Sequence, residues 1–196
     1  MLGFNYKKAV QALNYFAIKE GGGINKMKAL KLIWLSDRLH LLKFGRPILN
    51  DAYYALNYGP VASNTKDLAE SDNTFLAEEE RKYRDCFLQS KSRADYESIC
   101  EPDLKVFSKT DINVMEQVYA VFGNYDAYAL SNESHKYPEW KKFEASLNSK
   151  EASRYKMNYE DFFKRADVGH NLFNIDPDIL SMTKEIFLEN SVINSL

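Results

Sequence analysis

Residues 26–64 constrain this chain more than any other stretch. They read KMKALKLIWLSDRLHLLKFGRPILNDAYYALNYGPVASN, a long segment with apolar periodicity that runs into Gly45-Arg46-Pro47, an aromatic-rich run and Gly59-Pro60. Met27, Leu30, Trp34 and Leu41 follow one another at spacings of three, four and seven residues, which predicts a helix over 26–44. The vacant place in that stripe belongs to Asp37. A carboxylate among large apolar side chains is costly unless it is hydrogen-bonded or paired. His40, three residues on, is its neighbour on a helix surface. Gly45 supplies the left-handed residue that ends the helix, and Pro47 prevents it from restarting. Asp37 and His40 are therefore expected to face the returning chain.

In that returning chain, Asn50-Asp51 reads as a turn and residues 52–56 as a short aromatic strand. Pro60 fixes its own φ and disfavours the α region for Gly59, so Tyr58–Val61 is a rigid turn that holds Tyr58 in place. Ser63 or Asn64 is placed to cap a helix through Ala69.

These residues carry a resemblance. The run with Asp37, His40, Gly45, Arg46, Pro47, Ile48, Tyr53, Gly59, Pro60 and Val61 resembles the Panacea domain, an antitoxin family also described as SocA-like or phage-associated GepA-like. A second block, Leu130, Ser134, His135, Pro138 and Trp140, and a third, residues 157–161, are similar as well, so the resemblance spans roughly residues 6 to 165. It implies an antitoxin of a toxin–antitoxin system that neutralises a cognate protein toxin, encoded by an adjacent gene, through direct binding. It also implies that some members hand the toxin to a protease as adaptors. No cofactor follows from it. The domain is expected over 1–165, with 166–196 an acidic helical extension packed on the same domain.

With 196 residues and 45% hydrophobic content, the chain has the material for one compact core. Lys7 and Lys8 precede an amphipathic AVQALNYFAIKE, so neither a signal peptide nor a membrane span is expected, and the cytoplasm is the default compartment. A formal charge of −2 argues against a general nucleic-acid binder, since counterion release needs a basic surface. The cations at Lys26, Lys28, Lys31, Arg38, Lys43 and Arg46 read as a solvated helix face. Cys86 and Cys100 are too few for a disulfide framework and not at zinc spacing; they flank an expected hairpin of 85–89 with 96–99 and read as free thiols in a reducing cytosol.

Along the rest of the chain, Tyr6, Val10, Leu13 and Ala17 predict a first helix that stops at Gly21-Gly22-Gly23, read as a flexible connection. Residues 65–85 read as helix interrupted around Ser71-Asp72-Asn73, and 104–107 as a third strand. Helices then follow from 108, from 125, around Trp140, over 159–165 and from Asp176-Pro177. Six or more helices with a small antiparallel element predict a mainly α, α+β fold.

Asp37, His40, Glu133 and His135 are the residue types here suited to metal or acid–base chemistry, and a small metal-dependent or acid–base enzyme using Asp37, His40 and His135 is the alternative function. The bland reading makes Asp37 an acceptor for backbone N–H groups of a turn such as Tyr58–Val61, or an orienter of His40, and makes His135 and Trp140 structural. No serine stands in a glycine-flanked elbow, so no catalytic residue is assigned. Arg46, Tyr53, Tyr54 and Tyr58 are the candidate partner-binding residues, because Arg and Tyr dominate interface hot spots. Gly45, Pro47, Gly59, Pro60, Ser134, His135, Pro138 and Trp140 complete the motif set beside Asp37 and His40. A homo-oligomer is compatible with the sequence.

Overall fold

A computed structural model describes residues 3–70 and 73–193, so the helix interruption expected at Ser71-Asp72 lies outside the described residues. The fold is mainly α with two small antiparallel sheets, as the element pattern predicts. In chain order the elements are α1 (Tyr6–Lys19), β1 (Gly23–Asn25), α2 (Lys26–Phe44), β2 (Tyr53–Leu56), β3 (Gly59–Ala62), α3 (Ser63–Ala69) and α4 (Glu78–Asp85). Then come β4 (Leu88–Ser90), β5 (Asp95–Ser98), α5 (Lys109–Phe122), α6 (Ala127–Ser134), α7 (Pro138–Lys141), α8 (Glu144–Asn148), β6 (Tyr155–Lys156) and α9 (Pro177–Ile193). One sheet has the order β1-β5-β4 and the other β3-β2-β6.

Helix α2 is the axis. Asn25 caps its start by accepting from the Met27 and Lys28 N–H groups, and Gly45 ends it at φ +67°. Every residue from Lys28 to Leu42 is buried, because α1, α3, α5, α6, α9 and both sheets pack around it. The expected solvated cationic face is therefore absent. Lys28, Lys31 and Arg38 are all buried, and two of them are neutralised in place: Lys28 by Glu20 at 2.6 Å and Arg38 by Glu139 at 2.9 Å. A helix surrounded on all sides has no wet face on which cations could lie.

Four further expectations are corrected. Gly21 and Gly22 sit at φ +84° and +105° and turn the chain into β1, so the triple glycine is an ordered turn rather than a flexible connection. The third strand beside the 88–98 hairpin is β1, pairing Ile24 with Tyr96, while Leu104–Val106 forms a 3-10 turn. Gly59–Ala62 is itself a strand, closing a hairpin in which Leu56 faces Gly59 across the two-residue loop Asn57-Tyr58. Helix α3 is capped from a distance. Its N-terminal N–H groups at Asn64 and Thr65 are bound by the buried Asp51 carboxylate at 3.0 and 2.8 Å, not by Ser63 or Asn64. Cys86 and Cys100 are free and exposed.

The residues after Arg165 return to the axis. In α9, Thr183 Oγ1 donates to the Leu42 carbonyl at 3.0 Å, and Phe187 packs 5.7 Å from Phe163 and 6.0 Å from Tyr159. A Cβ on Gly45 would stand 2.7 Å from the Thr183 carbonyl oxygen, so this glycine permits both the helix end and the approach of α9.

Candidate functional site

Asp37 lies in α2 where the apolar stripe leaves its gap. Its Oδ1 accepts the Ile48 and Leu49 N–H groups at 2.9 and 3.0 Å, and its Oδ2 accepts the Tyr53 hydroxyl at 3.0 Å. Burial raises its pKa, and the three donated bonds only partly offset this, leaving it at about 7. The carboxylate thus fixes the path of the chain after Pro47, and its backbone donors are Ile48 and Leu49 rather than the Tyr58–Val61 turn of the bland reading.

His40 does not pair with Asp37. Its Nδ1 lies 2.8 Å from the Arg46 carbonyl, which only accepts, so Nδ1 carries a hydrogen. Its Nε2 meets Thr110 Oγ1 at 3.1 Å and Asp111 Oδ1 at 3.0 Å. Asp111 is fully buried and also receives Lys8 at 2.8 Å and Arg46 at 2.9 Å. Burial acts to raise the Asp111 pKa, but the bonds from His40, Lys8 and the Ser108 N–H outweigh it and hold the carboxyl far below the usual range. The helix end is therefore tied to the first turn of α5 by an ionic knot, which sequence reasoning missed because Asp111 reads locally as a capping residue.

The second block grips the β2–β3 hairpin. Ser131 Oγ donates to the Tyr58 carbonyl at 3.0 Å, and Trp140 Nε1 to the Leu56 carbonyl at 2.8 Å. His135 stacks on Trp140 at 3.8 Å between ring centroids, and burial lowers its pKa. Lys31 Nζ donates to the Pro60 carbonyl at 2.7 Å. Gly59, at φ +96°, completes the clasp, since a Cβ there would stand 2.1 Å from Ser134 Oγ and 2.9 Å from Lys31 Nζ. Pro138 opens α7 at its first turn and so places Trp140. The turn is consequently rigid, and it presents Tyr58 to solvent.

The candidate partner-binding residues separate. Tyr58 is 62% exposed, whereas Tyr53 is 2% exposed and sits against Tyr159 and Phe162. Tyr53 thus offers no contact area and acts as a support. Tyr54 is half-buried beneath the Arg154 guanidinium, 5.0 Å from its ring, and lies opposite Val61 on the outer face of the hairpin. Arg46 follows the C-terminal end of α2, while the hairpin is clasped at Lys31 in its second turn. At 1.5 Å per residue these points are about 20 Å apart along the axis. Asp37, His40 and His135 likewise take separate partners and form no shared centre, and no group of three or more His, Cys, Asp or Glu able to hold a metal ion occurs among the described residues.

Around Tyr58 lies a groove of about 430 Å³ between the start of α2, the hairpin, α3, the β4–β5 turn and α6. Its opposite wall carries Tyr128, 68% exposed. Sequence reasoning did not single out Tyr128, and it read Lys31 as part of a solvated helix face. Each is ordinary in its local pattern, and only tertiary packing sets it beside Tyr58.

A family model described as antitoxin SocA-like, Panacea domain, matches residues 30–141, which hold α2 from Leu30 onward, the hairpin and both gripping elements α6 and α7. No curated protein and no solved structure matches the chain.

Proposed function

The chain belongs to the SocA-like Panacea antitoxin family, and we propose that it neutralises a cognate protein toxin, encoded by an adjacent gene, by binding it directly in the cytoplasm. The observation that carries this reading is the exposed Tyr58 held on a clasped hairpin inside the matched residues. A rigid aromatic anchor loses little conformational freedom on docking, which is why such residues dominate interface energies. Tyr58 with Tyr54 forms the centre of the proposed docking face, and Arg46 makes a separate contact near the far end of α2. The proposed domain runs to Arg165, with residues 166–196 as an extension whose helix α9 packs on α2.

The test is inducible expression of the adjacent open reading frame, alone and with this protein, followed by growth and co-purification. Growth arrest relieved by a co-purifying complex is the expected result. A harmless neighbour, or rescue without a complex, overturns the reading. Toxin that accumulates in the rescued cells marks occlusion; toxin that disappears unless a cellular protease is deleted marks the adaptor mode. Tyr58→Ala is expected to weaken the complex by about 2 kcal/mol or more while the unfolding midpoint stays unchanged.

A further inference from the structure

The groove beside Tyr58 has a composition that selects its occupant. Met27, Leu30, Leu56 and Val61 supply apolar floor and wall, and Tyr58 and Tyr128 stand as rims. Among its charged residues Lys26, Lys31, Lys66 and Arg93 are cations, and Glu70 is the single carboxylate, already engaged by Lys66 at 2.7 Å. Lys31 is only 1% exposed and donates to the Pro60 carbonyl, leaving two of its three ammonium hydrogens without a bond to the described residues. A buried ammonium without a counter-charge is a costly arrangement, and an incoming carboxylate would relieve it. Arg93, on the exposed β4–β5 turn, adds a second cation at the groove's edge.

We propose that this groove receives a segment of the neutralised partner that combines apolar side chains with an Asp or Glu carboxylate, the carboxylate ending beside the Lys31 ammonium. The apolar lining favours a protein segment over a nucleic acid, whose phosphates would meet the cations but leave the Leu30 and Val61 surface uncovered. Two rim tyrosines offer flat area for side chains on either side of the buried charge. Burial by itself lowers the Lys31 pKa to about 7, so an entering carboxylate also draws a proton onto the amine. The facing titratable group is His135, whose pKa is lowered by burial first and then by Lys31.

The identity of the partner rests on the antitoxin reading, but the groove is tested without it. The probe is 4-phenylbutyrate, titrated at millimolar concentration into the full chain labelled with nitrogen-15, with 4-phenylbutyramide and inorganic phosphate as controls. Saturable amide shifts confined to Met27, Leu30, Val61 and Tyr128 are expected, with affinity at least about ten-fold weaker for the amide, for phosphate and for Lys31→Met. Arg93→Glu, on an exposed turn, provides a variant that leaves the core untouched and is expected to weaken the carboxylate too. Equal binding of the amide, equal binding of phosphate, shifts elsewhere, or no binding overturns the inference. The growth assay separates the two readings. If the neighbouring gene is harmless but the probe binds as expected, the antitoxin reading falls and the groove stands. If Lys31→Met and Arg93→Glu neutralise a toxic neighbour as well as the parent chain does, the groove falls and the antitoxin reading stands.

Discussion

Asp37 shows how a single side chain can organise a connection. It holds two consecutive backbone N–H groups and a buried hydroxyl, none of which has water to turn to. Asp37→Ala strands all three and is expected to lower the unfolding free energy by about 3 kcal/mol, at 1–3 kcal/mol for each group left unsatisfied with partial relaxation. Asp37→Asn keeps an acceptor for Ile48 and Leu49 and is expected to cost less than half as much; equal losses in chemical denaturation would mean that charge, not hydrogen bonding, is what the site uses. Gly59→Ala meets Ser134 Oγ and a positive φ together, so a loss of about 1–3 kcal/mol is expected from the backbone strain alone, read as a lowered melting temperature. The sequence exposes Asp37 because a carboxylate interrupts an apolar period. It hides the partners of His40, since Asp111 lies about seventy residues away and only the docking of α5 brings it within 3.0 Å.

At the level of elements, helix starts and breakers were readable where packing was not, although the cap of α3 was not. Asn25, Ser108, Asp126 and Asn158 each cap the helix or 3-10 turn that follows, and Gly45 with Pro47 ends α2 as expected. What a linear pattern does not disclose is that α2 is enclosed on every side, since helical periodicity reports one apolar stripe and not the buried ion pairs that let Lys28 and Arg38 enter the core. Strand β1 escaped because its three residues, of which the first is the last of the triple glycine, carry no alternation to detect. The meeting of α2 and α9 at Gly45 gives a prediction of its own. Gly45→Ala places a methyl group 2.7 Å from the Thr183 carbonyl oxygen, so α9 must shift. Hydrogen exchange is expected to rise across 177–193 while β2 and β3 stay protected, because Asp37 still holds the chain beyond Pro47. Uniform loss of protection would show instead that α9 and the hairpin unfold as one unit.

Across the whole molecule, buried ionisable groups on α2 and the elements it organises give stability a pH dependence with a predictable shape. Asp37 is protonated in the fold up to about pH 7, whereas in the unfolded chain it ionises near the ordinary value of 3.8. Between those values the unfolded state holds fewer protons, so stability falls as pH rises, and Asp51 and Glu139, raised by burial, push the same way. Lys31 acts in the next window. Its folded pKa of about 7 lies below the ordinary value of 10.5, so between them the unfolded chain holds the extra proton and stability rises with pH. A minimum near neutrality is expected, with limbs of up to about 1.4 kcal/mol per pH unit for each titrating group. Denaturant unfolding from pH 5 to 10 measures it, and the difference between the parent chain and Lys31→Met isolates one amine from all the other groups. That difference should be flat below pH 7 and climb above it. A difference that stays flat to pH 10 would mean that Lys31 keeps its proton inside the fold. The groove would then carry a permanent ammonium, and docking a carboxylate on it would proceed without the proton uptake that a neutral amine requires.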